Sequence, residues 1–189
     1  MKKIMLYFFY LPVFLACNST PTLKEDDGDI NKSFFPIGGT IMAELKEIDS
    51  MPVAIIKYTT VGTRTDTVIF SKDEMHSVAN ELLNPDISSP ENKKYYKETV
   101  FMDNTINTVT MSYTTISDQP VIRKIDVMIN PDKQKVKSIY VEKLVISGDS
   151  TILRKMIWTT GKNLQVISMI NRKGQEEQVR TDKYAWGNE

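Results

Sequence analysis

Thiol and imidazole are almost missing from this chain: its 189 residues include one cysteine, Cys17, and one histidine, His76. A lone thiol excludes an intrachain disulfide framework. Together the two residues supply too few nitrogen and sulfur ligands for a zinc site, which takes about three or four protein ligands. Charge of one sign is also lacking, with 24 basic residues against 24 acidic ones. The cations are scattered, so the clustered positive charge that displaces counterions from nucleic-acid phosphates is not in view. No apolar run is long either. The longest, Ile4 to Ala16, contains Pro12 and falls short of the roughly 20 residues a membrane-spanning helix needs. A glycine-rich phosphate loop, a nucleophile elbow and a dinucleotide fingerprint are all absent.

What is present begins with an address. Lys2 and Lys3 precede the short apolar stretch, which ends in small Ala16, and the chain turns polar directly after Cys17. That pattern predicts a signal peptide over residues 1–16. The residues Phe14, Leu15, Ala16 and Cys17 resemble the lipobox of a bacterial lipoprotein, with Phe14 standing where the pattern favours Leu. The overall make-up resembles lipoproteins of the Bacteroidota type. The resemblance implies that Cys17 becomes the first residue, carries a diacylglyceryl group and a further acyl chain such as palmitate, and moors the protein to the outer membrane, facing the periplasm or the surface. At about 0.8 kcal/mol per buried methylene, several chains make such an anchor effectively permanent. The alternative is an ordinary secretory leader with Cys17 lost or incidental. Loss of Lys2 and Lys3 with the leader would leave 22 basic residues against 24 acidic ones, and acylation would leave no free thiol.

Residues 17–32 are expected to form a lipidated flexible tether, because Asn18 to Lys32 is polar, acidic and lacks hydrophobic periodicity. The run Glu25, Asp26, Asp27 and Asp29 fails the calcium-loop pattern, since Leu23 occupies a ligand position. It resembles the acidic surface-export signal of Bacteroidota lipoproteins, and a solvated acidic spacer explains it equally well.

From Ser33 to Glu189 the pattern predicts one α+β domain. Ile37, Ile41, Leu45 and Ile48 recur at helical spacing after Pro36, and Pro52 ends that helix. Ser71 and Glu74 match a capping box ahead of Met75, Val78, Ala79, Leu82 and Leu83, and Asn84-Pro85 closes the second helix. Between them, β-branched runs flanking Gly62 predict a hairpin. The stretch 84–98 is expected to be loop. Beyond it, seven strand-like runs separated by short turns predict an antiparallel meander, giving a curved sheet of about seven to nine strands. Ile125, Val127 and Ile129, and likewise Ile152, Met156 and Trp158 around Arg154, mark an apolar sheet face for both helices to cover.

Chemistry-bearing residues are few. His76 lacks a marked nucleophile or orienting acid and is expected to be a partly exposed helix residue. Asp103, Asp126 and Glu142 could in principle form an acid–base pair, yet carboxylates at strand ends are ordinary. Ser147 to Ser150, "SGDS", fits a hairpin turn better than a serine motif. Ser50, Thr67 and Ser150 follow aspartates in a pattern resembling the O-glycosylation acceptor of Bacteroidota. Ten methionines, with Tyr95, Tyr96, Tyr113, Tyr140, Trp158 and Trp186, either fill the core or line a groove for an apolar ligand. The expectation is a non-enzymatic, lipid-anchored binding or scaffolding domain without cofactor or metal. Its partners would be the membrane through the anchor and an envelope protein or apolar ligand, not nucleic acid. The runner-up is a carrier of a lipid or other apolar ligand between sheet and helices.

Overall fold

The computed structural model describes Lys24–Glu25 and residues 33–187. The expected signal peptide and Cys17 lie outside the described residues, as does most of the tether. Lys24–Glu25 form a two-residue strand, β1. Helix α1 (Ile37–Ser50) starts directly after Pro36, which takes the N-cap position. Its stripe of Ile37, Ile41, Leu45 and Ile48 is at most 6% exposed. Burial of each such side chain contributes about 1.5–3 kcal/mol. That outweighs the penalty of about 1 kcal/mol at each of Gly38 and Gly39.

The hairpin expected around Gly62 is β2 (Ile55–Val61) and β3 (Arg64–Phe70). Its two-residue turn needs the left-handed backbone that Gly62 adopts, at φ 58°. Helix α2 (Lys72–Leu83) carries the expected capping box, with Ser71 and Glu74 bonding reciprocally. Met75, Ala79 and Leu82 are buried, while Val78 and Leu83 are half-buried.

The stretch 84–98 is not all loop. It holds a single helical turn, α3 (Pro90–Lys93), and the first residues of β4 (Tyr96–Asp103). Pairing of Tyr96 with Thr115 and of Glu98 with Tyr113 organises a segment whose local sequence has little strand character.

The meander then runs through β5 (Thr108–Thr115), β6 (Ile122–Asn130), β7 (Lys135–Ser147), β8 (Ser150–Thr159), β9 (Asn163–Arg172) and β10 (Gln178–Ala185). All pairings are antiparallel, in the order β1-β4-β5-β6-β7-β8-β9-β10-β2-β3. The fold is therefore α+β, a curved open sheet with nine strands of seven or more residues and the short β1 at one edge. The hairpin β2–β3 is not at the start of the meander; it adds to β10, so the chain's first long strand lies beside its last.

Alternation sends Ile125, Val127, Ile139, Val141, Met156 and Trp158 to one face, where α1 and α2 cover them. Phe34 packs at a tilt against Tyr113 with centroids 4.6 Å apart, and Trp158 against Trp186 at 5.0 Å. Entry into α1 is pinned by the Phe35 N–H, which donates to the Tyr113 hydroxyl at 2.9 Å.

Candidate functional site

The covered face is apolar except along one line. On β7, Ile139 and Val141 point inward, so Lys143, two residues on, does so as well. The same parity carries Arg154 inward beyond Met156 on β8, Ser168 beyond Val166 on β9, and Arg180 beyond Asp182 on β10. Register then aligns them: Lys143 opposes Arg154, Arg154 opposes Ser168, and Ser168 opposes Arg180. Three cations and a hydroxyl thus form one cross-strand row beneath the C-terminal half of α2. The row forms the floor of a cleft of about 230 Å³, roofed by Val78, Glu81 and Leu82.

Each charge in the cleft has a partner. The Lys143 ammonium is buried, at 6% exposure, and donates to the carbonyls of Glu81 and Asn84 at 2.6 and 2.7 Å, capping the end of α2. Burial pulls its pKa down. Arg154 pairs with the Glu81 carboxylate. Arg180 forks onto Asp182 at 2.8 and 2.9 Å, and Asp182 also accepts from the Thr59 hydroxyl at 2.6 Å with Lys57 3.7 Å away. Burial works against the Asp182 charge, but the bonds from Arg180 and Thr59, with the Lys57 and Arg180 charges, outweigh it and hold the carboxyl below the usual aspartate range. Among the described residues Ser168, 9% exposed as a whole, has no side-chain hydrogen bond, and its hydroxyl oxygen is open to the cleft.

The residues singled out by sequence lie elsewhere. His76 bonds Asp49 at 2.8 Å, linking α2 to α1 at a partly exposed position with no nucleophile attached. Asp103 closes the β4–β5 turn by accepting from the Thr105 N–H. Asp126 and Glu142 share a shallow depression on the face the helices leave uncovered, with Lys124, Ser138 and Tyr140. There Asp126 accepts from Ser112 at 2.6 Å and pairs with Lys124, and Glu142 accepts from Tyr140 at 2.8 Å. Partial burial and then the Glu142 and Asp126 carboxylates push the Tyr140 phenol upward. The polar groups of this depression satisfy one another, whereas those of the covered cleft leave a hydroxyl and several N–H groups over.

Ser147 and Ser150 flank a tight turn whose Gly148 has φ 54°. Ser50 ends α1 and Thr67 lies on exposed β3. Tyr96, Tyr113, Trp158 and Trp186 are buried in the core and Tyr95 packs against it.

The cleft residues escaped the sequence because each looks like a break in alternation. Arg154, standing among Ile152, Met156 and Trp158, was the visible clue. Among the described residues no group of three or more His, Cys, Asp or Glu is placed to hold a metal ion, and no helix is long and apolar enough to cross a membrane. No protein-family model matches the chain, and neither a curated protein nor a solved structure matches it.

Proposed function

We propose that this chain is an envelope lipoprotein of the Bacteroidota type, anchored to the outer membrane through acylated Cys17, and that its α+β domain is a non-enzymatic binding module with the cleft under α2 as its ligand site. One observation carries the binding role: Lys143, Arg154, Ser168 and Arg180 align across four strands on a face that should be apolar. Like charges directly opposite one another work against a sheet, so Lys143 beside Arg154 carries a cost that their bonds to the end of α2 offset. The non-enzymatic role is supported by the distance of Asp103 and His76 from the depression that Asp126 and Glu142 share, where Ser112, Lys124 and Tyr140 already engage both carboxylates.

A second reading, carriage of an apolar ligand, is favoured by the walls of the cleft, where Ile152, Met156, Val166 and Ile170 flank the charged row. Its volume of about 230 Å³ restricts such cargo to a short chain, since drug-sized ligands occupy about 300–1,000 Å³.

Two measurements test the proposal. Cys17→Ser should move the protein from the membrane to the soluble fraction; sedimentation of the mutant with membranes overturns the anchor. Native mass spectrometry of protein purified from its membrane should show a bound small molecule that Ser168→Leu, which fills the cleft, displaces. Ligand-free protein at every purification step removes the binding role.

A further inference from the structure

We infer that the cleft takes a small amphipathic monoanion, a carboxylate on a short apolar chain, with the carboxylate seated on the row Lys143, Arg154, Ser168 and Arg180. The inference rests on the binding role proposed above and names the chemistry of its ligand. Charge sets the sign and the valence. The groups lining the cleft are three cations against two carboxylates, Glu81 from α2 and Asp182 from β10, which leaves one positive charge unmatched. Lys57, which reaches Asp182 from β2 at 3.7 Å, is not part of that lining. One carboxylate balances the lining; a doubly charged phosphate overshoots it.

Donors set the headgroup. An ammonium has three N–H donors, and Lys143 spends two on Glu81 and Asn84. Arg180 meets Asp182 through Nε and Nη2, leaving Nη1 over, and Arg154 meets Glu81 through Nη1. Between the two guanidinium groups stands the Ser168 hydroxyl, open to the cleft and without a protein partner, so its donor is available to an acceptor placed there. Neighbouring residues across a sheet lie about 4.5–5.5 Å apart, close enough for one carboxylate to reach donors on adjacent strands.

The walls set the tail. The next inward row on one side holds Met156 and Val166 and on the other Ile152 and Ile170, while Val78 and Leu82 close the roof. With a water's share of liquid near 30 Å³, a cleft of about 230 Å³ admits on the order of eight non-hydrogen atoms. A six-carbon acid fits this limit and a diacyl lipid does not.

The test is titration of sodium hexanoate into the full chain in detergent, read on the Met156, Ile152 and Ile170 methyl resonances. 1-Hexanol and inorganic phosphate serve as probes of tail and charge alone. Hexanoate should shift these signals saturably, and both other probes should bind at least about tenfold more weakly. Arg154→Met and the milder Ser168→Ala should each weaken hexanoate by about tenfold or more, the usual loss of a charged hydrogen bond. Hexanol binding as tightly as hexanoate, phosphate binding better, or no saturation by hexanoate overturns the inference. If hexanoate fails while Ser168→Leu still displaces a co-purified molecule, the ligand class alone is wrong; if nothing co-purifies, the binding role falls with it.

Discussion

Glu44 shows what a single side chain does in this core. It lies on the buried side of α1, 7% exposed, and its oxygens accept from Trp158 Nε1 at 2.6 Å and from the Gly161 N–H at 2.5 Å. Burial pushes its pKa above the ordinary 4.5, against the pull of those two bonds. A carboxyl with a raised folded pKa contributes stability fully below its unfolded value and loses it as pH rises through the folded value. The melting-temperature advantage of wild type over Glu44→Gln should therefore shrink as pH rises above 4.5; an unchanged difference counts against a buried Glu44. Glu44→Ala leaves the buried Trp158 Nε1–H unpaired and should cost about 1–3 kcal/mol in urea unfolding. Asp182 behaves oppositely. Its depressed pKa gives stability that is present above 3.8 and lost as pH falls through the folded value. Asp182→Asn should flatten that acid limb and cost about 1.5–3 kcal/mol at neutral pH. Neither residue was legible in advance, because an isolated polar side chain in an apolar pattern reads the same whether it is buried with partners or turned to water.

At the scale of elements, local chemistry was more readable. The Ser71 capping box stands as the sequence predicts, with Glu74 N–H donating to Ser71 Oγ at 3.2 Å and Ser71 N–H to Glu74 at 3.1 Å. Ser71→Ala should lose about 1 kcal/mol, measured by chemical denaturation. In α1 the exposed Gly39 has no neighbour nearer than Pro36 Cβ, 3.9 Å from where a Cβ would sit. Gly39→Ala should stabilise by about 0.5–1 kcal/mol, and a lower melting temperature would show that the space is not there. The start of β4 was missed for the opposite reason. Lys93, Lys94, Lys97 and Glu98 follow two prolines and carry little strand propensity of their own, so only β5 alongside makes Tyr96–Glu98 extended.

At the scale of the molecule, the hairpin's placement governs how it unfolds. β2 pairs with β10, joining Val61 to Arg180 across most of the chain, whereas β4 to β10 are joined to their sequence neighbours. Amide exchange should accordingly be slowest in β7 and β8, each flanked by long strands, and fastest in the outermost strand β3, where six of seven residues are exposed. Equal protection across the sheet would contradict this order. The closure between β2 and β10 also makes slow folding the expectation, since distant pairing must be achieved before it is rewarded.

The sequence by itself determined the two helices, their apolar stripes and the meander, because helix caps, tight turns and side-chain periodicity are encoded within a few neighbouring residues. Tertiary structure alone decided that the early hairpin docks on the final strand and that Lys143, Arg154, Ser168 and Arg180 become neighbours. Those four residues are separated along the chain by whole strands, and only the register of three consecutive pairings sets them side by side.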